Sequence, residues 1–166
     1  FAFSSYASET EKVKYYIDLA FKLQAAKKFQ EAHHIFSIAI KKYPKTPTLY
    51  YLRAKLKQDH YFDYGGAIRD FSMAIKMAPK KYQKAYWRRG ECFYHFGLYA
   101  LSIKDYNRCL YLAPKNYKVY MKRARAYAKV GMIRKALEDI NFCVKNLPGY
   151  LTEGQKLKSE ILSGDF

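Results

Sequence analysis

Residues 84–116, KAYWRRGECFYHFGLYALSIKDYNRCLYLAPKN, decide the fold. They hold two stretches in which apolar residues recur at three- and four-residue spacing, parted at Gly97 and closed at Pro114. That spacing gathers the apolar side chains on one face of a helix. Glycine at the break allows a left-handed turn at little cost, and proline ends the second helix because it lacks an N–H and cannot continue the ladder. Tyr86 fills the space between two antiparallel helices, and the small Gly90 four residues later lets their backbones approach. The segment reads as a helical hairpin.

Working outward, the same hairpin recurs. Prolines fall at Pro44, Pro79, Pro114 and Pro148, spaced by 35, 35 and 34 residues. Twelve residues before them stand Ala32, Ala67, Ser102 and Ala136; eight before, Phe36, Phe71, Tyr106 and Ile140; five before, Ala39, Ala74, Cys109 and Cys143. Upstream, Tyr16, Tyr50, Tyr86 and Tyr120 are each followed by a small residue, Ala20, Ala54, Gly90 and Ala124. Gly131 takes the place of Gly97 in the last unit, and the second unit carries one extra residue around His60 to Gly66, so a bulging loop is expected there.

This pattern resembles the tetratricopeptide repeat (TPR) family, whose units follow W-x2-L-G-x2-Y…A-x3-F…P. The resemblance covers four units, 13–46, 47–81, 82–116 and 117–148. It implies an all-α fold, a right-handed superhelical array of antiparallel helix hairpins. Residues 149–166 keep helical spacing (Leu151, Leu157, Ile161, Leu162) without a closing proline, and read as the C-terminal capping helix a stack needs. Residues 1–12 are expected as an N-terminal arm in extended form.

Two positions switch together. Three residues after the first aromatic stands Leu19 in the first unit but Arg53, Arg89 and Arg123 in the others; nine before the closing proline stands Ile35, then Asp70, Asp105 and Asp139. Apolar goes with apolar and Arg with Asp, which predicts contact between the two helices of a unit as an Arg–carboxylate bridge.

Lys and Arg number 31 against 14 Asp and Glu, a formal net charge of +17. The four units carry +5, +4, +4 and +6, so basicity belongs to the whole array. Such charge attracts RNA, anionic lipid or acidic protein surfaces; a solvated basic surface, or a composition set by an AT-rich genome, is the alternative. No stretch approaches the roughly 18 apolar residues of a membrane-spanning helix. Cys92, Cys109 and Cys143 form no CxxC pair, and read as small buried hydrophobes. The opening Phe-Ala-Phe-Ser-Ser-Tyr-Ala-Ser, uncharged until Glu9, resembles the mature end left after removal of a mitochondrial presequence, with a chain boundary of other origin as the alternative. The expected location is mitochondrial, the alternative cytoplasmic.

No catalytic constellation stands out. His33 and His34 are adjacent on a helix and point apart, His60 and His95 lie in or beside turns, and no H-E-x-x-H, GxSxG, Walker or dinucleotide motif occurs. No enzyme activity, cofactor or metal is expected. In the family resembled, the first helix of each unit lines a concave groove that holds extended peptides. The positions just after the first aromatic, Ile17, Tyr51, Trp87 and Met121, would give that groove an apolar stripe. Beside it would run Lys14, Lys55, Lys84, Arg88, Lys118, Lys122 and Arg125, with Lys129 at the edge, against Asp18, Asp59 and Glu91. Solvation of an exposed helix face is the alternative role for these side chains.

Three functions follow from this reading. The first is a non-enzymatic scaffold or adaptor, a subunit of a larger assembly such as a mitochondrial ribosome or respiratory complex, gripping acidic surfaces or extended protein segments. The second is an RNA-binding helical-repeat protein. The third is a receptor for acidic C-terminal peptides of the co-chaperone kind. Lys84 and Arg88 match one element of that family clamp, but Ile17, Phe21 and Leu52 stand where its other hydrogen-bonding residues belong.

Overall fold

The computed structural model describes residues 8–165. Among them are nine α-helices and no strand: α1 (Glu9–Ala25), α2 (Phe29–Lys42), α3 (Pro47–Leu56), α4 (Tyr64–Met77), α5 (Gln83–His95), α6 (Tyr99–Leu112), α7 (Tyr117–Lys129), α8 (Ile133–Asn146) and α9 (Leu151–Ser163). A π-helical turn, Lys57–Tyr61, follows α3, and a 3₁₀ turn, Pro148–Tyr150, precedes α9. The chain divides into two compact units, one ending at Pro79 and one beginning at Lys80.

In the first unit α1 packs on α2, α2 on α3 and α3 on α4. The extended arm expected over residues 1–12 needs correction. Positions 1–7 lie outside the described residues, and with them nearly all of the opening stretch read as a processed end. From Ser8 onward the chain is already committed to α1. The Ser8 hydroxyl accepts from the Glu11 backbone N–H at 3.2 Å, while the Ser8 N–H donates to the Glu11 carboxylate at 2.7 Å. This capping box satisfies two backbone donors and starts the helix four residues before the first repeat position. Tyr16, Ala20, Phe36, Leu49 and Tyr50 form one buried cluster. Phe36 and Phe71 are wholly buried, each contributing about 1.5–3 kcal/mol by removing its ring from water.

The second unit stacks α5 on α6, α6 on α7 and α7 on α8, and α9 then packs on α8. Met121, Ala124, Ile140, Leu157 and Ile161 share its buried cluster. Gly154 lets α9 come close, since a Cβ there would stand 2.6 Å from Val144 Cγ2.

Three of the four hairpin turns are closed alike. The N–H groups of Lys28, Leu98 and Met132 reach back to the carbonyls of Leu23, Phe93 and Tyr127 at 2.8–2.9 Å. That bond requires a left-handed residue just before it, and Gly97 (φ 73°) and Gly131 (φ 74°) supply one cheaply. In the first hairpin the position is Lys27, at φ 59°. Left-handed backbone costs an L-residue roughly 1–2 kcal/mol, against about 0.5–1 kcal/mol for glycine's extra chain entropy. Lys27→Gly is therefore expected to raise stability by up to about 1 kcal/mol, seen as a small rise in Tm. A fall in Tm would show that the lysine side chain holds the turn.

The fourth turn, between α3 and α4, carries the extra residue, and the structure corrects the bulging loop expected there. The added residue is absorbed as the π-helical turn Lys57–Tyr61, closed by the Asp63 N–H on the Lys57 carbonyl at 3.2 Å and by a left-handed Phe62 (φ 52°). Asp63 then caps α4 by accepting from the Gly66 N–H at 2.8 Å.

Candidate interaction surface

Helical phase brings three Arg–Asp pairs together between the paired helices. Arg53 donates from Nε and Nη2 to both oxygens of Asp70 at 2.8 Å, Arg89 to Asp105 at 2.7 and 2.8 Å, and Arg123 to Asp139 at 2.8 and 2.7 Å. Each is a two-pronged bridge with its carboxylate buried. Third donors reach the preceding hairpin: Arg53 to the Ser37 hydroxyl at 3.1 Å and Arg123 to the Asn107 side chain at 2.6 Å. These arginines thus hold the hairpins and are engaged inwardly.

The second hairpin differs from the third and fourth by Lys57, in the π-helical turn after α3, which donates to Asp70 at 2.8 Å. Phe93 and Tyr127 occupy that place in later hairpins, each ring lying under its arginine. The charge balance shifts accordingly. Burial alone would raise the Asp70 carboxyl, but its two cations overcome that and hold it below its ordinary value. At Asp105 and Asp139 burial outweighs a single arginine, and both carboxyls are pushed up. Sequence reading missed Lys57; the signal was a cation where an aromatic recurs.

On the α5–α7 face, Trp87 is half-buried, with Arg88 5.7 Å and Lys118 5.3 Å from its ring. Cations at that range over an indole are attracted by its electron-rich face. Lys84 and Lys118 are exposed. Next along the face, Lys122 binds Glu91 at 2.7 Å, and Arg125 points both terminal nitrogens at one Glu153 oxygen at 3.3 Å. Between these pairs lies a cavity of about 100 Å³ floored by Tyr106 and walled by Tyr94 and His95. Glu153, from α9, is a contributor that sequence phase did not supply.

The apolar stripe expected across all four units needs correction. Met121 is 1% exposed and belongs to the buried cluster with Leu157 and Ile161, so it cannot meet a partner. Ile17 and Tyr51 are half-buried against the first unit's core, Tyr51 tilted against Phe71 with ring centres 5.8 Å apart. Lys14 and Lys55 are exposed, Lys55 lying 3.8 Å from Asp59. Within the stripe, Trp87 has Arg88 and Lys118 beside its ring.

Among the described residues no helix is long and apolar enough to cross a membrane, and no three His, Cys, Asp or Glu side chains gather as metal ligands. Cys92, Cys109 and Cys143 are buried, and burial pushes the Cys109 and Cys143 thiols up to about 11.

No family model matches the sequence, and no curated protein matches it either. Solved structures do resemble the fold. The MamA protein superposes with a TM-score of 0.80 at 19% identity, over 93% of this chain and 88% of that one. YrrB, described as a TPR protein with an unusual peptide-binding site, gives a TM-score of 0.79 at 15% identity over 95% and 83%. The first TPR domain of Spaghetti (RPAP3), solved with the HSP90 peptide SRMEEVD, gives 0.69 at 22% identity over 77% and 99%. With its all-helical hairpins, recurring small-to-aromatic contacts and these likenesses, the chain has the tetratricopeptide-repeat fold.

Proposed function

We propose that the protein is a non-enzymatic interaction scaffold, a subunit or adaptor that grips an extended acidic segment of a partner protein. The observation that carries this reading is Trp87, set between Arg88 and Lys118 beside the exposed Lys84. A large aromatic offers an anchor with little conformational freedom to lose, and the cations around it favour carboxylates over cationic partners. Its indole N–H is buried without an acceptor among the described residues. An orphaned donor costs about 1–3 kcal/mol, so phenylalanine would serve packing alone better.

The contact differs from the peptide clamp of the co-chaperone relatives. Lys84 and Arg88 keep one element of it, but Ile17, Phe21 and Leu52 cannot donate the remaining hydrogen bonds. Lys122 and Arg125 already hold Glu91 and Glu153. The partner's carboxylates therefore meet chiefly the exposed Lys84 and Lys118.

Crosslinking with mass spectrometry of the native complex tests the reading. Crosslinks from Lys84 and Lys118 to one acidic partner segment are expected, with at least a tenfold loss of that partner on Trp87→Ala. Recovery of the protein only as a monomer would refute the scaffold. A partner held equally well by Trp87→Ala would remove the site. RNA as the principal partner would show itself by affinity falling steeply with log salt.

A further inference from the structure

Several irregular features converge within the first unit. They are the π-helical turn, both left-handed non-glycine residues among the described residues, Lys27 and Phe62, and three of the chain's four histidines, His33, His34 and His60. π-turns and strained backbone persist where surrounding contacts hold them, and both concentrate at functional sites. Here the contacts are visible. The His60 ring stacks on Phe29 at 3.8 Å and 19°, and His33 meets Tyr61 edge-on at 6.0 Å. Burial, then the Lys57 and Arg53 charges, push the His33 imidazole below its ordinary value.

These contacts shape a groove of about 750 Å³, within the size range of ligand sites. Leu23, Phe29 and Ile35 give it apolar lining, Tyr61 forms a wall, and Lys27 and Lys28 stand at its rim. Tyr61 and the neighbouring Phe62 are 42% and 69% exposed. Lys28 bridges Glu31 at 3.1 Å, but both side chains are more than half exposed, where such a pair contributes little. The rim is left positive by Lys27. Glu31 disfavours a polyphosphate chain, whereas an apolar lining beside a lysine suits a hydrophobic side chain flanked by a carboxylate.

We infer that this groove docks an extended segment of another protein, one that places a large apolar side chain against Phe29 and Tyr61 and a carboxylate on Lys27. The site shares no residue with the α5–α7 face and stands or falls independently of the function proposed for it.

Selection of a phage-displayed random twelve-residue peptide library on the full chain tests this. Enriched peptides are expected to pair an aromatic or long aliphatic residue with Asp or Glu. By calorimetry, a synthetic copy should bind at least tenfold more weakly to Tyr61→Ala and to Lys27→Glu, and equally well to Trp87→Ala. Both altered residues line the groove and are exposed, and Lys28→Glu, at another exposed lining residue, gives a third variant should either fail to fold. The inference is overturned by no enrichment, by peptides without acidic residues, or by binding indifferent to these rim variants. It is equally overturned by binding lost on Trp87→Ala, or by a random-sequence 20-nucleotide RNA that binds at 150 mM salt and is lost on Tyr61→Ala.

Discussion

Arg123→Ala is expected to lower the free energy of unfolding by about 3–5 kcal/mol, because it strips the counter-ion from a buried carboxylate. Asp139 is 6% exposed and takes two hydrogen bonds from Arg123, whose guanidinium also lies 5.2 Å from the Tyr120 ring centre and 5.5 Å from that of Tyr127. The protein also carries its own control. In the first hairpin the equivalent positions are Leu19 and Ile35, both partly buried. Arg123→Leu together with Asp139→Ile should therefore recover most of the loss, since an apolar pair of similar volume is often neutral or stabilising where half a bridge is not. Asn107 would lose the Arg123 donor in that variant, at small cost because it is exposed to water. Urea unfolding of the two single variants and the double one gives the coupling energy directly. A loss below about 1 kcal/mol for Arg123→Ala would mean that the bridge contributes no more than an exposed surface pair.

The Arg–Asp bridges were legible in the sequence because both partners change together in a repeat that supplies its own alignment. Helical hairpins were legible for the same reason: a fold written four times averages out the ambiguity of any single stretch. What covers a helix face was not legible. Phase from Tyr120 correctly puts Met121 next to it on the helix, but α9 brings Leu157 and Ile161 into the same cluster and removes Met121 from water. A one-residue insertion announces an irregular turn without saying which kind. Whether the chain loops out or widens its helix depends on local partners, here His60 on Phe29 and Lys57 on Asp70. Glu153 was missed because pairing between α9 and α7 falls outside the repeat.

Gly90→Ala is expected to reverse sign with its neighbour. In the native protein an added Cβ would stand 2.8 and 2.9 Å from Tyr106 ring carbons and 3.3 Å from the Ser102 carbonyl oxygen. Tyr106 is 1% exposed and held by its neighbours, so its ring can yield only towards the small cavity it borders, at a cost in packing. Overpacking of this kind costs about 1–3 kcal/mol, more than the roughly 1 kcal/mol by which alanine improves a helix interior over glycine. The net is a loss. The fourth hairpin solves the same contact differently, with Ala124 and Ile140 in one buried cluster. Tyr106→Ile alone should cost about 2–4 kcal/mol, since the smaller side chain leaves space over Gly90. In that background Gly90→Ala fills part of the space and adds its helix propensity, so the same substitution should now stabilise. Thermal and urea unfolding of the four proteins would show the reversal as a coupling energy above about 1 kcal/mol. Additive effects would mean that the backbone shifts to accept the methyl group, and that glycine at position 90 is not needed for the close approach of α5 and α6.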